Sequence, residues 1–155
     1  MLFKMNKKLI VGAIVIILLG VAYYLLSPLF IVKELNDPMP VAVGNGSVGA
    51  GGLTLSRGVF VASAHEVSGE AKIIGLPDEK KFLRFEDFET VNGPDLFIYL
   101  ATDNTAEDFV NLGEIKATRG NVNYAIPAGT DLDKYNTVLI WCKQFRVLFS
   151  YAELG

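Results

Sequence analysis

Thr137-Val138-Leu139-Ile140-Trp141-Cys142 is a run of six residues without a charge, closed by Lys143. Its β-branched and aromatic residues have the composition of a strand. Side chains alternate along a strand, so Val138, Ile140 and Cys142 share one face while Leu139 and Trp141 share the other. Both faces are apolar, which predicts a central strand.

The same period extends over residues 58–154. Residues 58–64 and 70–74 read as a hairpin closed near 65–69. Residues 83–88 and 96–100 read as two strands joined across Thr90-Val91-Asn92-Gly93-Pro94-Asp95, a segment dense in turn formers. Residues 110–116 and 121–126 read as another pair around Arg119-Gly120. After Pro127 and a helical turn near 131–135, residues 137–142 and 145–150 complete the series. No long amphipathic helix is present. About eight short strands over this length predict an all-β fold, an antiparallel β-sandwich. Phe60, Phe82, Phe85, Phe88, Phe97, Tyr99, Tyr124, Trp141, Phe145 and Phe149 supply its bulk, and burying half of them contributes on the order of 10 kcal/mol before entropy is subtracted.

Toward the N-terminus the pattern changes. Residues 9–26 hold no charge, and as a helix they nearly match the hydrocarbon thickness of a bilayer. Lys4, Lys7 and Lys8 precede this run and Lys33 follows. The positive-inside bias therefore predicts a single-pass cell-membrane protein with a cytoplasmic N-terminus and an extracytoplasmic C-terminal domain. The competing reading is a cleaved signal peptide, with Gly20-Val21-Ala22 as the cleavage site. The apolar run continues through Tyr23-Tyr24-Leu25-Leu26 without a polar break, which favours an uncleaved anchor. Pro28, Pro38, Pro40 and the Gly-rich stretch 44–52 read as a tether, and Asn45-Gly46-Ser47 matches the N-glycosylation pattern. The expected organisation is a basic N-terminus (1–8), a transmembrane signal-anchor helix (9–27), a Pro/Gly-rich tether (28–57) and the sandwich (58–155).

After the anchor, eleven basic residues face seventeen acidic ones. That balance opposes binding to nucleic acid or to anionic headgroups, both of which reward basic patches. The bilayer, through residues 9–27, is the expected partner, beside an extracellular protein or glycan.

Cys142 is the one cysteine and His65 the one histidine. A lone cysteine forms no internal disulfide, and it links two chains only if exposed. Structural zinc wants four Cys or His ligands, blue copper two histidines and a cysteine, and iron-sulfur clusters several cysteines, so none of these metal sites can be assembled. Covalent haem attachment through Cys-x-x-Cys-His is absent, and no methionine falls in 58–155. Glu86, Asp87 and Glu89 form a carboxylate cluster that fits either calcium or an ordinary solvated strand face. Asp131 fits the cap of a helical turn. No Ser-His-Asp, HExxH or phosphate-loop pattern occurs, so no substrate-converting enzyme is indicated.

Phe60 and His65 with Gly69, then Leu83-Arg84-Phe85-Glu86-Asp87-Phe88, then Asn92-Gly93-Pro94-Asp95-Leu96 with Tyr99-Leu100 follow an ordered spacing. It continues through Leu112-Gly113, Gly120, Tyr124, Ile126-Pro127 and Ile140-Trp141-Cys142 to Phe145, Phe149 and Ala152-Glu153-Leu154. Over residues 58–154 this resembles the DM-thirteen domain family, the electron-transfer DM-thirteen domain. The resemblance implies an extracytoplasmic β-sandwich whose cysteine, here Cys142, acts in redox chemistry as a bare thiol or through a bound haem, with His65 as candidate partner or second ligand.

Two readings stand side by side. In one, Cys142 is the redox centre of a membrane-anchored electron carrier; a thiolate there needs a nearby positive charge, and Lys143 and Arg146 are close in sequence. In the other, Cys142 is a small buried hydrophobe, and the chain is a non-catalytic, surface-displayed sandwich that binds a protein or glycan.

Overall fold

The computed structural model describes residues 7–26, 32–44 and 47–155. It contains two compact units, Met1–Ile31 and Val32–Gly155.

In the first unit, α1 (Lys7–Leu26) has 20 residues, about 30 Å at 1.5 Å per residue. The stretch Lys7–Tyr24 has a mean hydropathy of 1.9. It has the length and composition of a membrane span or of a signal sequence. The helix begins two residues before the expected start at Leu9, taking Lys7 and Lys8 into its first turn. Residues 1–6 and Ser27 lie outside the described residues.

The second unit is a β-sandwich. Its strands are β1 (Glu34–Asn36), β2 (Val41–Gly44), β3 (Ser47–Gly51), β4 (Leu53–Val59), β5 (Val61–Ala62), β6 (Val67–Gly75), β7 (Lys81–Thr90), β8 (Leu96–Ala101), β9 (Phe109–Glu114), β10 (Arg119–Ile126), β11 (Thr137–Cys142) and β12 (Val147–Glu153). One five-stranded sheet runs β1-β10-β7-β6-β4, the other β5-β12-β11-β8-β9, and β2-β3 form a separate hairpin. Among the described residues only β1 against β10 is parallel.

The core lies between the sheets. Ala71, Ile73, Leu83, Phe85, Phe88, Val122 and Tyr124 from the first sheet meet Leu96, Ile98, Leu100, Val138, Ile140, Cys142, Phe149 and Ala152 from the second. Phe85 is its centre: its ring stands at 4.9 Å from Phe60, 4.9 Å from Phe88 and 5.2 Å from Tyr124. Phe85 and Phe88 are three apart, which strict alternation would place on opposite faces. A bulge resolves this. Asp87 takes a φ of 48° and its N–H donates to Asn121 Oδ1 at 3.1 Å. The pairing shifts between Gly120 and Val122 on one side of β7 and between Ser68 and Glu70 on the other. Both phenyl rings thereby point inward.

Phe60 divides what reads in sequence as one strand. β4 ends at Val59 in the first sheet and β5 begins at Val61 in the second, so the chain changes sheets at this buried ring. The expected hairpin of 58–64 with 70–74 therefore holds only for Gly58 and Val59, which pair with Ala71 and Glu70. The expected pair 110–116 with 121–126 also separates: β9 pairs with β8 and β10 with β7. Residues 115–118 cross between the sheets, with Ala117 1% exposed at the crossing. The helical turn forms, its Tyr135 N–H donating to Asp131 O at 2.9 Å while Asp131 Oδ1 caps the N–H groups of Asp133 and Lys134.

The stretch read as a tether is largely structured. Residues 34–36 and 53–57 are strands of the first sheet, and 41–44 with 47–51 form the hairpin. The Asp37 N–H donates to Asn121 O at 2.8 Å, and Arg84 Nη1 donates to the carbonyls of Asp37 and Pro38 and to Asn123 Oδ1. These partners lie far away in sequence, so local composition carried no sign of them. Residues 28–31 of that stretch, and Asn45 and Gly46 of the glycosylation pattern, lie outside the described residues.

Glu86 and Glu89 bind cations of the chain itself. Glu86 pairs with Lys72 and, at 2.8 Å, with Arg84 Nε, and Glu89 pairs with Arg119. No cluster of three or more metal-ligating side chains occurs among the described residues. The hydrogen bond from Lys72, followed by that from Arg84, holds the Glu86 carboxyl below its ordinary value.

This packing sets two expectations. Phe85→Ala should cost about 3–5 kcal/mol in denaturant unfolding of the sandwich, whereas Phe145→Ala, at a side chain 63% exposed, should stay within about 0.5 kcal/mol. A folded-state pKa depressed in Glu86 contributes stability that is present above the unfolded value and lost as pH falls through the folded one. Stability measured against pH should thus drop on the acid side, and Glu86→Gln should flatten that limb.

Candidate functional site

β11 is central in its sheet, between β12 and β8. Its inward residues Val138, Ile140 and Cys142 join the main core, while Leu139 and Trp141 face a second apolar layer with Tyr99, Phe97, Leu148 and Tyr151. The alternation expected of this strand is the one observed. Cys142 is its last residue, 1% exposed.

The thiol points at the turn before β8. Cys142 Sγ donates to the Pro94 carbonyl at 3.1 Å, and the neighbouring Lys143 N–H donates to Asp95 O at 3.0 Å. The Asn92-Gly93-Pro94-Asp95 turn is thereby fastened over the sulfur by backbone carbonyls. Asp95 adopts a φ of 57°, a left-handed conformation that Asp tolerates better than most residues. The Lys143 ammonium lies 4.9 Å from the centre of the Phe97 ring, on the opposite face of the sheet from the sulfur.

His65 reaches the same end of the sandwich by another route. Its N–H donates to Phe149 O at 3.2 Å, and its imidazole lies on the Phe149 ring with centroids 3.9 Å apart. Phe149 sits at the register shift between Ile140 and Trp141, where β12 carries one extra residue and the ring turns into the core. At its tip the ring abuts Gly93, where a Cβ would come within 2.5 Å of Phe149 Cζ. The series runs His65, Phe149, Gly93-Pro94, Cys142.

The structure thus brings the two sequence candidates to one end and interposes Phe149 and the Gly93-Pro94 turn. Imidazole and thiol share no hydrogen bond among the described residues. His65 is exposed and Cys142 is buried. Sequence reasoning counted Phe149 as core bulk and Gly93 as a turn residue, and missed that together they connect the two candidates. The β12 bulge that aims Phe149 has no local signature. Ser150, also at this bulge, buries a hydroxyl that has no hydrogen-bond partner among the described residues.

A family model, Electron transfer DM13, matches residues 59–154. The chain belongs to the Electron transfer DM13 family. No curated protein and no solved structure matches it. The DM13 match begins at the last residue of β4, so β1 and most of β4, which complete the first sheet, precede it.

A haem does not fit at Cys142. An iron ligand needs an open approach to its sulfur and room beside it for the macrocycle. Cys142 instead lies in packed core with its thiol committed to Pro94. The large apolar groove, about 1190 Å³ and lined by Leu53, Leu76, Phe82, Ile126 and Pro127 among others, is at the opposite end, where β4 and β7 begin.

The contact of Gly93 with Phe149 gives a direct test of this arrangement. Gly93→Ala should displace the Phe149 ring, cost about 1–3 kcal/mol by overpacking, and speed the reaction of Cys142 with a thiol reagent in the native state.

Proposed function

We propose that this DM13 chain is a membrane-anchored, extracytoplasmic electron-transfer module, with α1 as an uncleaved anchor, Cys142 as its redox-active atom and His65 as the polar group on the surface above it. The supporting observation is the seal over Cys142. Thiol–disulfide exchange requires a partner sulfur to touch the attacking one, which a thiol 1% exposed beneath Pro94 does not allow. An electron needs only a short path through packed atoms. The acceptor is a strongly oxidising one-electron carrier, by class a high-potential metal centre, docking at the exposed His65 end.

A second reading is supported by the outer face of the β12-β11-β8-β9 sheet. Phe97, Trp141, Leu148 and Tyr151 are partly exposed there around a buried Tyr99 and Leu139, and Phe109 stacks on Tyr99 at 4.0 Å. Aromatic faces of this kind anchor protein or glycan partners.

One pair of variants separates the two. In the electron-transfer reading, Cys142→Ser abolishes the redox wave of the purified full chain in protein-film voltammetry and Trp141→Ala leaves it in place. A chain with no wave, or a wave that survives Cys142→Ser, removes Cys142 as the redox centre. Cell-surface binding that survives Cys142→Ser and is lost in Trp141→Ala would establish the display module instead.

A further inference from the structure

We infer that the groove at the end of the sandwich where β4 and β7 begin binds a single-chain amphiphile with a carboxylate head, a long-chain fatty acid. The groove lies at the opposite end from Cys142 and takes no part in the electron-transfer reading.

Two lobes meet there. The apolar lobe, about 1190 Å³, is lined by Leu53, Leu76, Phe82, Ile126 and Pro127 among others. A second lobe of about 600 Å³ is lined largely by polar side chains, Ser56, Asp131 and Asn136 among them. Leu55, Lys81 and Thr130 line both, so the two form one continuous depression.

Tight turns make its walls. The Leu76 N–H donates to Lys80 O at 2.8 Å, and Thr130 Oγ1 donates to Pro127 O at 2.8 Å. Gly75 leaves the sheet bare of a side chain, and Leu55 lies over it, so that a Cβ on Gly75 would come within 2.9 Å of Leu55 Cδ1. Leu53 and Leu55 are 75% and 54% exposed. An acyl chain laid along this lobe would take their apolar surface out of water.

Charge selects the head. Lys80 pairs with Asp78 at 2.8 Å, and Asp131 Oδ1 caps the N–H groups of Asp133 and Lys134. Lys81 stands at the junction of the lobes, partly buried, and its ammonium has no ion pair or hydrogen bond among the described residues. The Ser56 hydroxyl in the polar lobe has no hydrogen bond among them either. A cation partly withdrawn from water without a counter-charge favours an anion at that point, and a hydroxyl adds a donor. Asp78, Glu79, Asp131 and Asp133 line the same depression. Their repulsion disfavours a doubly charged phosphate head and leaves the singly charged carboxylate as the better match for Lys81. An apolar cleft with a few placed polar groups is the usual form of a small-molecule site.

The test uses the full chain in phosphatidylcholine nanodiscs and hexadecanoic acid carrying a photoreactive diazirine near the end of its chain. Labelling mapped by mass spectrometry should fall on residues 74–82 or 125–130. Unlabelled hexadecanoic acid should compete with it, and its methyl ester should not. Lys81→Met removes the charge and should weaken this labelling roughly tenfold, while Lys80→Met should change it less than about twofold. Leu53→Asp, at an exposed position in the apolar lobe, should weaken it too and serves if Lys81→Met fails to fold. Labelling confined to α1, or labelling of the groove that both Lys81→Met and Leu53→Asp leave unchanged, overturns the site. Competition by the methyl ester equal to that of the acid, or stronger competition by lysophosphatidic acid, overturns the carboxylate.

Discussion

Burial of both faces of β11 governs the rest of the sandwich. A strand apolar on two sides needs a core beneath it and apolar neighbours on its other face, and Thr137–Cys142 has both, the outer face being shared with Tyr99, Phe97, Leu148 and Tyr151 of the same sheet. Its position between β12 and β8 fixes the end of the strand under the Asn92–Asp95 turn. Cys142 is therefore buried by the logic of the sheet. Any chemistry assigned to this sulfur has to operate through that burial.

Irregularities in the sheets then build the end of the molecule. The bulge at Asp87 turns Phe85 and Phe88 inward together, and the extra residue in β12 turns Phe149 into the core. Phe149 supports the His65 ring and meets Gly93 with its tip. Bulges of this kind re-aim side chains at the ends of strands. Here they connect an exposed imidazole to a buried thiol through an aromatic ring and a backbone turn. Ligation of a shared metal would require both side chains to converge on one point, and here a ring and a turn stand between them.

Much of the fold was legible because its signals are local. The alternation in 137–142, the turn formers at 92–95 and the capped turn at Asp131 each declare themselves within a few residues, and each stands where the pattern placed it. The pairing of strands was less legible. Phe60 and Ala117 mark changes of sheet, and nothing in their immediate neighbourhoods distinguishes a crossing from a hairpin. The Pro-rich stretch misled for the same reason. Its hydrogen bonds go to Arg84, Asn121 and Asn123, partners that only the folded sheet brings near.

The sequence by itself determined the apolar helix, the all-β character of the remainder, the central place of β11 and the two candidate residues, His65 and Cys142. These follow from hydropathy, side-chain period and the count of rare residues, all of which are properties of the chain before it folds. Tertiary structure alone decided which strands share a sheet, that residues 34–36 and 53–57 join the sandwich, and that Phe149 stands between imidazole and sulfur. Those outcomes depend on non-local pairing and on bulges, whose energies come from contacts between segments distant in sequence.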